Sequence, residues 1–188
     1  MGRVFVDTNV LFPFSLMDLM LALTEDAVHQ VVWTERLLDE WERVIVREQQ
    51  RSPDAARAIT RAIRTFFDDC RIPEEQYLHL VDTVRGPDPD DRHHLAAAIA
   101  ADAQAVVTWN LQDFPPQPWI DRRVRVVDPD TSLCGLFDMV PAEVVATVKR
   151  LAAEKRRPPM TAIELGERFA KAGVLRFAAR LEEGLNVH

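Results

Sequence analysis

Arg3-Val4-Phe5-Val6-Asp7-Thr8-Asn9 is the stretch on which the reading of this chain turns. Three consecutive apolar residues, two of them β-branched, suit a short buried strand. Asp7 ends the run, and Thr8 or Asn9 can cap a helix immediately afterwards. Residues 11–23 are then strongly apolar, with Leu16, Leu19, Met20 and Leu23 at helical spacing. Pro13 suits the first turn of that helix, where its missing N–H is tolerated.

The same alternation continues along the chain. Residues 28–33 read as a second strand. Thr34 caps a helix over 35–50 whose buried stripe is Leu37, Leu38, Trp41, Val44 and Ile45. Ser52-Pro53 opens a third helix through Phe67, with Ala56, Ile59, Ile63 and Phe66 facing inward. Residues 77–81 are expected to form a third strand. Gly86-Pro87-Asp88-Pro89-Asp90-Asp91 is a loop, because two prolines and a glycine disfavour regular structure. An Ala-rich helix follows over 94–103, then a strand over 104–108 ending at Trp109-Asn110. A loop over 111–118 leads to a last strand at 124–127. Short, continuously apolar strands between helices imply a parallel sheet covered on both faces. In such sheets ligands bind beyond the carboxyl ends of the strands.

After Asp128 the pattern becomes helical, over 140–151, 161–172 and 175–181, interrupted by Lys155-Arg156-Arg157-Pro158-Pro159. The expected organisation is a domain over residues 1–138 and a helical extension over 139–188. No internal repeat or low-complexity tract is seen.

Composition narrows the function. A hydrophobic content of 47% supplies a core, and no apolar run is long enough to span a bilayer, so no membrane partner is expected. The N-terminal run, broken by Asp7, does not read as a signal peptide. Cys70 and Cys134 form no CxxC pair or zinc pattern and read as reduced core thiols of a cytoplasmic protein. A net charge of −7 is unlike that of a typical nucleic-acid binder, but a cluster of catalytic acids lowers the sum and a bound cation reverses the local field. Basic residues are grouped: Arg43, Arg47 and Arg51 share helical spacing, as do Arg57, Arg61 and Arg64, and Arg122-Arg123-Val124-Arg125 forms a further run. Each is equally readable as part of a solvated helix face or surface.

The acids are informative by position. Asp7 ends the first strand; Asp88, Asp90 and Asp91 open the Ala-rich helix; Asn110 and Asp113 follow the next strand. All lie at one expected rim. Glu40 lies within a helix but borders its apolar stripe, so it can reach over the same rim. Two carboxylates ~5 Å apart at an effective dielectric of ~20 repel by roughly 3 kcal/mol, so such a cluster calls for a cation or a proton. Hard oxygen ligands select Mg²⁺ or Mn²⁺, ions suited to phosphodiester hydrolysis. The plainer readings are a helix cap for Asp7 or Asp91, a surface ion pair for Glu40, and turn residues for Asp88, Asp90 and Asp113. His93 and His94 adjoin the loop without a second histidine at ligand spacing and are left outside the metal shell.

Four segments resemble the motifs of the PIN-domain family. Val4-Phe5-Val6-Asp7-Thr8-Asn9-Val10 is similar to its opening strand, and Thr34-Glu35-Arg36-Leu37-Leu38-Asp39-Glu40-Trp41 to its second acidic motif. Asp88-Pro89-Asp90-Asp91-Arg92-His93-His94-Leu95 is similar to the third, and Val106-Val107-Thr108-Trp109-Asn110-Leu111-Gln112-Asp113 to the fourth. The resemblance covers residues 3–128 and implies a three-layer α/β/α, Rossmann-like fold. It further implies a Mg²⁺- or Mn²⁺-dependent endoribonuclease, with Asp7, Glu40, Asp91 and Asp113 as metal-holding and catalytic acids. Thr8, Asn9, Thr108 and Asn110 would support them, and Arg43, Arg47 and Arg92 would meet RNA. Many bacterial members are VapC-type toxins paired with an antitoxin protein and often homodimeric, and some carry a helical extension. This chain departs from the pattern at Asn110, where Asp is frequent, so Asp113 is the expected fourth carboxylate. A degenerate module that binds RNA or a protein without cutting is the alternative. Phosphotransfer through Asp7 ranks below both, because no second Asp stands two positions on.

Overall fold

The computed structural model describes residues 2–48, 51–85, 88–114 and 124–187, and the statements below concern these residues. The expected loop over 115–118 and the pair Arg122-Arg123 lie outside them. Four short parallel strands form one sheet: β1 (Gly2–Val6), β2 (His29–Val32), β3 (Ala105–Val107) and β4 (Arg125–Val127), in the order β2-β1-β3-β4. Phe5 stands opposite Val32 on one side and Val106 on the other. β1 and β3 are thus central, with Phe5 and Val6 of β1 and all three residues of β3 buried, as apolar residues of a covered parallel sheet are.

Successive strand residues face opposite sides of the sheet. Phe5 meets the ring of His94 on α6 (Pro89–Ala100), with centroids 5.3 Å apart, so α6 covers that face. The small side chains Ala96, Ala97 and Ala98 are fully buried, which permits the close packing of this helix. α1 (Thr8–Leu11) and α2 (Phe14–Glu25) follow β1, and α2 packs on β2. The single apolar helix expected over 11–23 is therefore two: Pro13 is extended and precedes α2 instead of sitting in its first turn. The three-layer α/β/α arrangement expected of the sequence is the one found.

α3 (Glu35–Glu48) begins at Thr34, whose hydroxyl accepts from Leu37 N at 3.1 Å. It buries Leu37, Leu38, Trp41 and Ile45. α4 (Pro53–Phe66) begins where expected, with Ser52 accepting from Ala55 N. Its inward face differs from expectation. Phe66 is 78% exposed, whereas Thr60 is fully buried and donates to Glu42 at 3.0 Å. The helix ends at Phe66, and its inward stripe runs out before that residue meets a partner.

The strand expected at 77–81 is a helix, α5 (Glu74–Val81). Pro73 precedes it, Glu74 and Glu75 complement the positive end of its dipole, and only Tyr77 is deeply buried. Five residues, four of them apolar with His79 in the middle, carry no periodicity strong enough to separate the two structures. Two features of length and charge, the leading Pro-Glu-Glu and the exposed Leu78, decide for the helix.

Beyond β4 come α7 (Pro129–Met139), α8 (Pro141–Glu154), α9 (Ala162–Lys171) and α10 (Leu175–Val187). Asp130 fixes the start of α10, accepting from Phe177 N at 2.8 Å and from Arg176 Nε at 2.9 Å. Phe169, Val174, Phe177 and Leu181 form the centre of this helical layer. α8 packs against α2, and Arg150 ties the two together through Asp26, Glu25 and the carbonyl of Ala22. Lys155 reaches Asp18 in the same seam. Among the described residues no single helix is long and apolar enough to cross a membrane, and both cysteines are free and buried.

His29 supplies a test of this core. Its ring is buried, its Nε2–H donates to the Met20 carbonyl at 3.1 Å, and burial pushes its pKa down from 6.5 to about 4. Unfolded His29 takes up a proton below pH 6.5, while folded His29 resists until about pH 4. Its contribution is therefore complete above pH 6.5 and lost as the pH falls toward 4, by about 3 kcal/mol in all. Urea unfolding at stepped pH should show a steeper acid loss for the native chain than for His29→Gln. Parallel curves for the two would refute this account.

Candidate active site

The strand order reverses direction between β1 and β3, and their carboxyl ends open into a cleft. Asp7, the residue after β1, is drawn into this crossover by its own N–H, which donates to Val107 O at 3.0 Å. The Asp7 side chain makes no capping bond to α1 and points into the site. It is buried, at 5% exposure, and three neighbours serve it. Thr108 Oγ1 and Asn9 Nδ2 each donate to Oδ2 at 2.7 Å, and Thr8 Oγ1 lies 3.2 Å from Oδ1. Removing a buried donor to a charged group costs about 1–3 kcal/mol, so these bonds are what make a buried carboxylate tolerable.

The supporting residues hold one another. Thr108 Oγ1 accepts from Asn110 N at 3.0 Å, and Asn9 Oδ1 accepts from Trp109 N at 3.1 Å. Thr8 Oγ1 donates to Glu40 Oε1 at 2.6 Å, which links α3 to the end of β1. Glu40 therefore turns inward from the helix, with 22% of its side chain exposed.

Twelve residues line a cleft of about 450 Å³: Asp7, Thr8, Asn9, Phe12, Glu40, Val44, Arg47, Glu48, Asp88, Asp91, Asn110 and Asp113. All four acids singled out in the sequence are among them. Six carboxylates and a single cation, Arg47, make this lining strongly negative among the described residues. Asp91 registers the crowding. Partial burial raises its pKa first, the charges of Asp7, Asp88 and Asp113 raise it further, and His94 pulls the other way, leaving it at about 7.

His94 belongs to the site but stands beneath it. It is 1% exposed, with Nε2 3.3 Å from Glu40 Oε2 and Nδ1 3.9 Å from Asp7 Oδ1. Burial acts to lower its pKa, but the bond to Glu40 and the charges of Asp7, Glu40 and Asp91 outweigh it, and the net shift is upward. Sequence reasoning left His94 aside for want of a second histidine. Its spacing of three from Asp91 on one helix was the available signal, since such residues share a face.

The arginines divide. Arg47 lines the cleft and pairs with Glu48 at 2.6 Å, whereas Arg43 is exposed on α3 and does not line it. Arg92 lies on α6 with its Nε buried, away from the lining. Arg64 is engaged with Glu35 and Asp39, and holds α4 to α3.

The donor set is hard oxygen throughout, which suits Mg²⁺ or Mn²⁺ over zinc. Among the described residues no three acids or histidines already close around one point as a finished metal shell. Carboxylates gathered in one cleft repel one another, and a divalent ion would reverse that term.

Comparison with known proteins bears on this geometry. Residues 3–112 match the PIN domain, and residues 129–183 match the VapC50 C-terminal domain. Over 90 residues the chain is 30% identical to a protein of Mycobacterium tuberculosis described as "Putative ribonuclease VapC50". That alignment covers 48% of this chain and 53% of the relative, so the chain spans about half of the length of the protein it matches.

The crowding around Asp91 is directly measurable. Carboxyl carbon NMR in EDTA should find its midpoint near 7. Asp7→Asn should move it down the most, and Asp88→Asn and Asp113→Asn by less, because each removes one repelling charge. A midpoint unmoved by all three substitutions would mean that these charges do not converge.

Proposed function

Because this chain belongs to the PIN-domain family, we propose that it is a metal-dependent endoribonuclease, the toxin of a VapBC-type pair, cutting single-stranded or structured RNA with water as the nucleophile. The supporting observation is the gathering of Asp7, Glu40, Asp91 and Asp113, which come from four separate segments, around one cleft. The name of the mycobacterial relative supports the same reading. A bound Mg²⁺ or Mn²⁺ would supply Lewis acidity toward a phosphoryl oxygen and acidify a water molecule.

The residues of the chain would divide the remaining work. Asp7, Glu40, Asp91 and Asp113 would hold the ion, directly or through water. Thr108 and Asn9 lock the Asp7 carboxylate in one rotamer, and Thr8 does the same for Glu40. Asn110, exposed at the rim, offers a neutral amide that can orient water or an RNA phosphate. Arg47 is the cation best placed to meet the backbone of a strand entering the cleft, with Arg43 further out on the same helix and Arg92 on α6. The proposed partners are RNA, an antitoxin protein and a second copy of this chain, in the cytoplasm. The nuclease part would be residues 1–138 and the helical part 139–188, with α7 at their junction.

A second reading is a PIN module that binds RNA or a protein without cutting it. The uncharged Asn110 and the open spacing of the acids favour it. Calorimetry separates the two readings, because only the nuclease needs appreciable Mn²⁺ affinity.

Incubation of the purified protein with a mixed RNA pool should give cleavage with Mg²⁺ or Mn²⁺ and none with EDTA. Asp7→Asn should abolish cleavage and leave the urea midpoint nearly unchanged, since the amide keeps the shape and removes a repelling charge. Undiminished metal-dependent cutting by that variant would exclude Asp7 from the chemistry.

A further inference from the structure

The turn between α9 and α10 reaches back from the extension to the candidate active site. Gly173 there has φ of +104°, and a Cβ added to it would stand 3.1 Å from Cη2 and 3.2 Å from Cζ2 of Trp109. The indole therefore rests against glycine backbone, so closely that a methyl there would have to push the ring by a few tenths of an ångström. The turn itself is firmly held. Gly173 N donates to Ala170 O at 3.0 Å, Val174 N donates to Phe169 O at 3.2 Å, and both Phe169 and Val174 are fully buried. The extension is in turn anchored to α2 through Arg150.

On its other side Trp109 is one bond from the site. Its N–H donates to Asn9 Oδ1 at 3.1 Å, and Asn9 Nδ2 donates to Asp7 Oδ2 at 2.7 Å. Trp109 also lies between Thr108, which donates to Asp7, and Asn110, which lines the cleft. A continuous set of contacts thus runs from Gly173 through Trp109 and Asn9 to the Asp7 carboxylate.

We propose that Trp109, braced by Gly173, is a positioning residue for the acid cluster, and that the helical extension is part of the frame of the active site and not an independent attachment. This rests on the reading of Asp7 as a metal-holding acid. The brace works by geometry. With the indole held against Gly173, the backbone N–H of Trp109 is aimed at Asn9, Asn9 keeps its amide on Asp7, and the turn bearing Asn110 and Asp113 is set at the mouth of the cleft.

The test is a double-mutant cycle on the full chain with two readouts, Mn²⁺ affinity by calorimetry and the NMR signal of the Asn9 side-chain amide. Gly173→Ala and Trp109→Ala should each weaken Mn²⁺ binding at least about five-fold under conditions where urea curves show the protein folded, and each should shift the Asn9 amide. The double variant should be no weaker than Trp109→Ala alone, because the added methyl then has no ring to displace. Equal losses from Gly173→Ala in both backgrounds would assign the effect to backbone strain and overturn the proposal. So would variants that lower the urea midpoint while Mn²⁺ affinity and the Asn9 signal stay unchanged. Absence of Mn²⁺ binding by the native chain would refute the metal reading by itself. The brace is then decided by the Asn9 amide, which shifts in Gly173→Ala if the brace exists and stays in place if it does not.

Discussion

A carboxylate buried at the end of a central strand is the constraint on which this molecule is built. Asp7 lies where β1 and β3 diverge and has little access to bulk water. Stripped of partners, a charge there would cost several kcal/mol. Thr108, Asn9 and Thr8 prevent this, and each is itself held by the backbone or side chain of another segment. The parallel sheet brings residue 7 beside residue 108, and α3 brings Glu40 over the top. The fold, read physically, surrounds that carboxylate with hydrogen-bond donors drawn from distant parts of the chain.

The remaining charges follow from the first. Asp91, Asp88 and Asp113 crowd the same cleft, and Asp91 responds by holding its proton to about pH 7. His94 approaches from the buried side, and the charges of Glu40 and Asp7 beside it favour its protonated form. A cleft lined by six acids repels a polyanion, so the proposed RNA substrate would need cations to compensate. The metal proposed for catalysis would also lower that barrier.

Much of this was legible in the sequence, for identifiable reasons. Strands β1 and β3 announce themselves as continuous apolar runs ending in Asp7 and Thr108, because both faces of a central parallel strand are covered. Glu40 could be placed because its neighbours Leu37, Leu38 and Trp41 fix which side of α3 is buried. Residues 74–81 were opaque, since the short run from Tyr77 to Val81 fits a strand or a helix equally and only the flanking Pro73-Glu74-Glu75 separates the two. Phe66 misled because helical periodicity says which side a residue faces but not whether anything waits there. His94 was hidden for a related reason: its role depends on a ring stacked on Phe5 and on two acids from other elements, none of them local in sequence. The contact of Gly173 with Trp109 carries no local signal at all.

The bond from Thr108 to Asp7 joins residues 101 positions apart. Closing so long a loop is entropically demanding and makes such contacts late events in folding. During synthesis the first strand emerges from the ribosome with its acid still hydrated and unpartnered. The second half of the crossover does not exist until β3 has followed it out. The brace at Gly173 comes later still. A nascent chain that stops short of β3 therefore carries Asp7 and Glu40 without the pocket that organises them, and the full arrangement waits for the residues up to Gly173.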